Sequence, residues 1–262
     1  MSLSRRSMVG GTFVAGGMAA AMPAALIATT GSAPPDALFK CTEFVRRAPG
    51  LGPEAFLEHW QRHRAPLVRL LPGLVGLTFN LIDSDRSPDA PYDGVIELWF
   101  ADAAAYGAAV NGAAPELVEA LATDRPAFIQ NDFLGLFSHE AIIRPASPQS
   151  GKQRVKRIGL VGRQPGMNRQ QFFEDWVHEH APQANRQPGL EGYILNLVAG
   201  DRFLDSPWDG YAELWWTDAQ AFDEASRAIR ATVGRRLGFF HSHLLLYLRE
   251  YEELVPARAG SV

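Results

Sequence analysis

The chain repeats itself. At a constant offset of 116 residues, Phe56, Glu58, Trp60, Ala65, Pro66, Pro72, Gly73, Leu74 and Gly76 recur as Phe172, Glu174, Trp176, Ala181, Pro182, Pro188, Gly189, Leu190 and Gly192. The register continues without a gap through Asn80/Asn196, Asp85/Asp201, Arg86/Arg202, Pro91/Pro207, Asp93/Asp209 and Gly94/Gly210. It ends on Glu97-Leu98-Trp99 against Glu213-Leu214-Trp215, and Asp102 against Asp218. Chance does not sustain such a register, so the chain is a tandem of two homologous units. The boundaries follow: residues 1–33 as a leader, 37–145 as the first unit, 146–153 as a linker, 154–251 as the second unit and 252–262 as a tail.

Each unit reads as strand, helix, strand, strand, helix, strand. In the second unit, Arg154–Arg163 is a strand and Pro165-Gly166 a turn. Phe172, Phe173, Trp176 and His180 then share one helix face. Pro182 disfavours helical geometry at Ala181, so that helix is expected to bend or end there. Gly189–Val198 and Trp208–Trp216 are apolar strands, Phe222, Ala225, Ile229 and Val233 mark a second amphipathic helix, and Phe239–Arg249 is the last strand. The first unit has strands near Phe39–Arg46, Leu74–Ile82, Tyr92–Phe100 and Phe133–Ile142. This βαββαβ order is ferredoxin-like and α+β, with both helices on one face of an antiparallel sheet. The strands are apolar on both faces, so the uncovered face must also be buried. Two such sheets packed together satisfy each other within one chain.

The leader has a different character. Arg5 and Arg6 precede an apolar, Gly/Ala-rich stretch, and no acidic residue occurs before Asp36. A charged head followed by small apolar residues reads as an export signal, and the paired arginines as a twin-arginine one. The expected location is periplasmic or secreted, with no stable membrane insertion once the signal is cleaved. Gly10, Gly11, Gly16 and Gly17 weaken the alternative of a transmembrane anchor. Lys+Arg 25 against Asp+Glu 29 gives a net charge of -4 without a basic run. That excludes a nucleic-acid footprint, which needs clustered positive charge. One cysteine, Cys41, excludes an internal disulfide and a multi-cysteine metal site.

The motif Trp176-x-x-x-His180-Ala181-Pro182, with Pro188-Gly189, Asn196, Asp209-Gly210 and Glu213-Leu214-Trp215, resembles the EthD-like family of the dimeric α+β barrel superfamily. The resemblance implies that the two units form an intrachain pseudo-dimer; further homodimerisation is left open. It also implies relatives among cyclases, dehydratases and decarboxylases of aromatic compounds. The first unit departs from the pattern, because Arg64 stands in the place of His180 and His63 lies beside it. The second unit is therefore the better candidate for an active half. Several relatives in the superfamily bind haem, and dye-decolourising peroxidases combine a tandem fold with such signals. Here Ala90 and Ser206 stand where their Gly-x-x-Asp-Gly motif needs its first glycine.

Strand alternation proposes which side chains face the inter-sheet space. In the strand ending at Trp216, the apolar set Ala212, Leu214 and Trp216 should meet the helices, leaving Tyr211, Glu213 and Trp215 inward. The same rule turns Ser242, Leu244, Leu246 and Leu248 to the helices and His241, His243, Tyr247 and Arg249 inward. Asn196, on the opposite parity from Tyr193, Leu195 and Leu197, joins the inward set. The candidate catalytic residues are His180 and His243 as acid and base, Glu213 as base or orienter and Asn196 as carbonyl polariser. Candidate ligand contacts are Trp176, Tyr193, Tyr211, Trp215, His241, Tyr247, Glu97 and Arg64. Histidine near neutral pKa, or a carboxylate raised by burial, moves protons without a prosthetic group. The expected function is thus cofactor-independent lyase, dehydratase, decarboxylase or isomerase chemistry on a small aromatic or oxygenated hydrophobic compound. The alternatives are a haem- or hydrophobic-ligand-binding barrel, a metal held by His241 and His243 with Glu213, and a non-catalytic accessory protein of an ether or aromatic degradation pathway. For Glu97 and Glu213 the plain alternative is a structural ion pair with an arginine of a neighbouring strand.

Overall fold

The structure is a computed structural model describing residues 38–146, 155–199, 207–232 and 240–254. The expected signal, most of the linker, Val233 and the end of the tail lie outside the described residues. The first unit comprises β1 (Phe39–Val45), α1 (Pro53–His59), α2 (Ala65–Val68), β2 (Leu74–Ile82), β3 (Gly94–Phe100), α3 (Ala103–Gly112), α4 (Pro115–Phe128) and β4 (Leu134–Arg144). The second comprises β5 (Val155–Arg163), α5 (Arg169–Glu174), α6 (Ala181–Ala184), β6 (Leu190–Val198), β7 (Gly210–Trp216), α7 (Ala219–Thr232) and β8 (Phe240–Leu254).

Strand pairing turns two units into one barrel. The units form the sheets β4-β1-β3-β2 and β8-β5-β7-β6, the same order twice. Antiparallel seams β2–β8 and β4–β6 then close all eight strands into a ring. Closure removes the free edges that two stacked sheets would keep. It also explains why the strands are apolar on both faces: one meets helices, the other the barrel interior. Phe44, Ile82, Val95 and Leu136 of the first unit meet Ile158, Leu160, Tyr211, Leu246 and Leu248 of the second inside the barrel. Burying each such aliphatic or aromatic side chain contributes about 1.5–3 kcal/mol.

The repeated Trp-x-x-x-(Arg/His)-Ala-Pro segment has a common local cause and outcome. Pro66 and Pro182 have no N–H to give the preceding turn, and their rings crowd the carbonyl four residues back. The helix answers by widening into a π turn, Trp60–Arg64 in the first unit and Asp175–His180 in the second. It continues through Ala181–Ala184 rather than ending at Ala181. The repeated aspartates cap the next helix in each unit: Asp102 accepts from the Ala105 N–H at 2.7 Å and Asp218 from that of Ala221 at 2.8 Å. Gly210 is required by packing, since a β-carbon there would collide with the Trp176 ring. Asp93 and Asp209 do more than make turns. Asp93 holds the Arg47 guanidinium at 2.9 Å, and Asp209 holds the Arg163 side chain and accepts from its N–H at 2.8 Å.

The helical layers differ. Between β3 and β4 the first unit places α3 and α4, whereas between β7 and β8 the second has α7 among its described residues.

Candidate functional site

The barrel axis carries a belt of polar side chains, one from every strand. Lys40 (β1), Asn80 (β2), Glu97 (β3), Glu140 (β4), Lys156 (β5), Asn196 (β6), Glu213 (β7) and Glu250 (β8) meet there. All are buried side chains, Glu250 being the most open at 6%. The Lys40 Nζ lies 2.7 Å from Glu97 and 2.5 Å from Glu213. The Lys156 Nζ lies 2.6 Å from each of the same two carboxylates and 2.9 Å from Glu250. The Asn80 and Asn196 Nδ2 groups each donate to their own unit's glutamate at 2.7 Å. Trp99 and Trp215 Nε1 donate to Glu140 at 2.8 Å and Glu250 at 2.9 Å. Lys40 and Lys156 stand over those same indole rings at 4.5 and 4.9 Å. The 116-residue offset relates Lys40 to Lys156, Asn80 to Asn196, Glu97 to Glu213 and Trp99 to Trp215, so the belt is two-fold symmetric in composition.

Two ammoniums face four carboxyls in a medium without water to share the charge, so the belt favours holding a proton. Glu97 and Glu213 titrate as a pair. Burial and the Glu213 charge push Glu97 up to about 7. Burial opposes ionisation at Glu213 too, but Lys156 and Lys40 hold it well below the usual carboxylate range. Burial alone would lower the lysines; the carboxylates outweigh it and raise both. Tyr211 borders the belt, with the Lys40 ammonium over its ring at 5.6 Å and Thr42 2.6 Å from its hydroxyl.

The expected site is therefore divided. Glu213, Asn196, Tyr211, Trp215 and Glu97 do share the interior, but as members of an ionic belt whose cations are lysines, not the expected arginine. The other candidates are elsewhere. In β8 the alternation is the reverse of that expected: Leu246 and Leu248 line the interior, while Tyr247 packs with Phe222 on the helix side, rings 4.9 Å apart. His241, His243 and Arg249 are exposed. The expectation equated apolar with helix-facing, whereas the barrel interior beside the belt is itself an apolar core. His241 and His243 are thus separated from Glu213 by the sheet, and no metal-ligand cluster of three such side chains occurs among the described residues. Tyr193 and Trp176 lie in the helix-side core of the second unit. Arg64 lies on the helix side of the first, donating to the Leu121 carbonyl at 2.6 Å and pairing with Asp124 at 3.4 Å.

On that outer face of the second sheet His180 comes within reach of the Arg157 charge, and Arg157 belongs to a polar row. Across β8, β5, β7 and β6 the register aligns Tyr247, Arg157, Leu214 and Tyr193. Arg157 stands over the Trp216 ring at 5.4 Å. Its residue keeps a partly open edge, yet its Nε is buried without a hydrogen-bond partner, and burial lowers its pKa. No carboxylate pairs with it among the described residues. His180, edge-on to Phe240 at 5.5 Å between ring centres, is not near neutral as expected but pushed down to about 4 by burial and by the Arg157 charge. Burial raises Tyr193, against the pull of Arg157. A neutral imidazole, an unpaired guanidinium and two phenols thus share one aromatic-walled face.

The sequence reading missed Lys40, Lys156, Glu140, Glu250 and Arg157. The offset carried the signal for the lysines, and for Arg157 as the counterpart of Cys41. For Glu140 and Glu250 it carried none, because the different helical insertions break the register before β4 and β8.

A further cleft of about 480 Å³ opens at one barrel end of the first unit, lined by Arg46, Arg47, Tyr92, Asp93 and Gln130 among others. Its arginines are already paired, Arg46 with Asp132 and Arg47 with Asp93.

Residues 48–132 match the family model of the EthD domain. That match lies within the first unit. The EthD match covers α1 to α4 with β2 and β3, and leaves β1 and β4 outside it. No curated protein matches the sequence. Among solved structures, an anthrone oxidase-like protein superposes with a TM-score of 0.58 at 12% identity, over 86% of this chain and 97% of that one. A putative monooxygenase from Fusobacterium nucleatum gives 0.55 at 8% identity, over 86% and 98%. A mutant chlorite dismutase from Candidatus Nitrospira defluvii gives 0.48 at 12%, over 80% and 91%. At these identities the first two likenesses show the fold alone, an α+β barrel whose eight strands close within one chain.

Proposed function

We propose that this chain is a cofactor-independent enzyme acting on a small aromatic or oxygenated hydrophobic compound, with its site on the helix-covered face of the second unit. One observation supports that placement above others: His180, against the Phe240 ring, feels the charge of Arg157, which stands in the row Tyr247, Arg157, Leu214 and Tyr193. The interior is a poor host for the same chemistry, since its carboxylates are already bound to lysines. The reaction class is that of lyases and isomerases. Neutral His180 takes a proton from a carbon next to a carbonyl, and the C–H electron pair moves onto the oxygen as an enolate beside Arg157. The proton returns to a different atom, or the electron pair expels a leaving group, so no electrons are exchanged with a co-reactant.

Turnover by purified protein on a panel of enolisable aromatic carbonyl compounds tests this. His180→Ala should retain its circular dichroism spectrum and lose at least about 100-fold in kcat. Full activity in that variant removes the assignment. Export through the twin-arginine route belongs to the same reading, and a signal-bearing fusion retained in the cytoplasm of a Tat-competent host would remove it.

Haem fits this chain poorly. Among the described residues no histidine lines the barrel interior, where an axial ligand would have to stand.

A further inference from the structure

We infer that the outer face of the second unit recognises an aromatic carboxylate, with Arg157 as its counter-charge. This rests on the reading that the face is the ligand site, and adds the class of molecule it takes.

The fully buried cations among the described residues all have carboxylates, whereas Arg157, buried at its Nε and open at one edge, has none. Lys40 and Lys156 share Glu97 and Glu213, Arg64 has Asp124 and Arg125 has Glu43 at 3.8 Å. Arg157 is crowded enough for burial to lower its pKa, its Nε is buried without a hydrogen-bond partner, and among the described residues its titratable neighbours are the phenols Tyr193 and Tyr247 and the ring of His180. An uncompensated buried charge is costly, and the first unit avoids that cost by placing Cys41 at the same position. An external anion would relieve it. A guanidinium fork matches a carboxylate with two parallel hydrogen bonds, whereas a phosphate dianion would meet one cation where it needs two. The surroundings specify the rest of the ligand. Trp216 lies under the guanidinium, Phe222 packs edge-on to both Trp216 and Tyr247, and Phe240 borders His180. Flat apolar walls beside one cation suit a planar ring bearing one carboxylate.

The experiment is calorimetric titration of the full protein with 1-naphthoate and benzoate, and with the matching neutral carboxamides. The carboxylates should bind at least about tenfold tighter than the amides. Arg157→Met should erase that preference and Arg157→Lys should keep part of it, while Arg62→Met, at an exposed site on the other unit, should change nothing. Circular dichroism confirms folding; should Arg157→Met fail to fold, Arg157→Gln replaces it. Equal affinity for acid and amide, no binding at millimolar ligand, or an unaltered preference in folded Arg157 variants overturns the inference. Carboxylate binding without turnover of any panel compound would sink the catalytic reading alone. Turnover of neutral aromatics without carboxylate preference would sink this one alone.

Discussion

The same row of the two sheets has opposite character in the two units. In the first, Phe137, Cys41, Leu98 and Leu77 lie side by side across β4, β1, β3 and β2, buried under helices. In the second the row reads Tyr247, Arg157, Leu214 and Tyr193. The interior shows the reverse trend, with Lys, Asn, Glu and Trp retained in both halves. The difference has a physical cause. Each unit supplies half of one shared ionic belt, so a change on either side strands charge on the other. The outer faces answer only to their own helices and are free to diverge, one as core and the other as candidate site.

The largest test of this contrast removes belt cations. Lys40→Met should leave Glu97 and Glu213 half-neutralised and cost about 3–5 kcal/mol in urea unfolding. Arg157→Met, a similar change at an unpaired cation, should be neutral or stabilising. Equal losses would erase the distinction between belt and site. Next in size, Cys41→Arg places the second unit's charge in the first unit's apolar row and should cost about 3 kcal/mol or more, because no partner or opening awaits it. A mild effect would mean that the first face is as permissive as the second.

Gly210→Ala forces the Trp176 ring aside and should cost about 1–3 kcal/mol by the same measurement. The smallest effects are in pH. Glu97 binds its proton more tightly folded than unfolded, so its contribution to stability is full below about 4.5 and is lost as pH rises through about 7. His180 binds its proton less tightly when folded, so its contribution grows as pH rises from about 4 to 6.5. Glu97→Gln should therefore remove a falling limb, and His180→Ala a rising one, each at most about 1.4 kcal/mol per pH unit. Melting temperatures between pH 4 and 8 read both signs, and an unchanged profile in Glu97→Gln would show that the belt proton sits elsewhere.

Much of this architecture was legible without coordinates. The repeat implied two equal units, and hydrophobic patterning placed the eight strands. The orientation of β7 was also legible, because Ala212, Leu214 and Trp216 contrast sharply with Glu213. In β8 the contrast misled. Its leucines and its histidines are distinct sets, but either face of a strand in a closed barrel covered by helices can be apolar.

The sequence by itself determined the order of elements along the chain, the 116-residue internal match and the residue types offered to each face, since these depend on local periodicity and on matches along the chain. Only the tertiary structure decided which charges meet. Lys40 and Glu213 are separated by 173 residues and become partners only when the seams β2–β8 and β4–β6 close the ring. Arg157 is noteworthy for the opposite reason. Its residue type is plain in the sequence, but that no carboxylate among the described residues pairs with it depends on the elements packed around it.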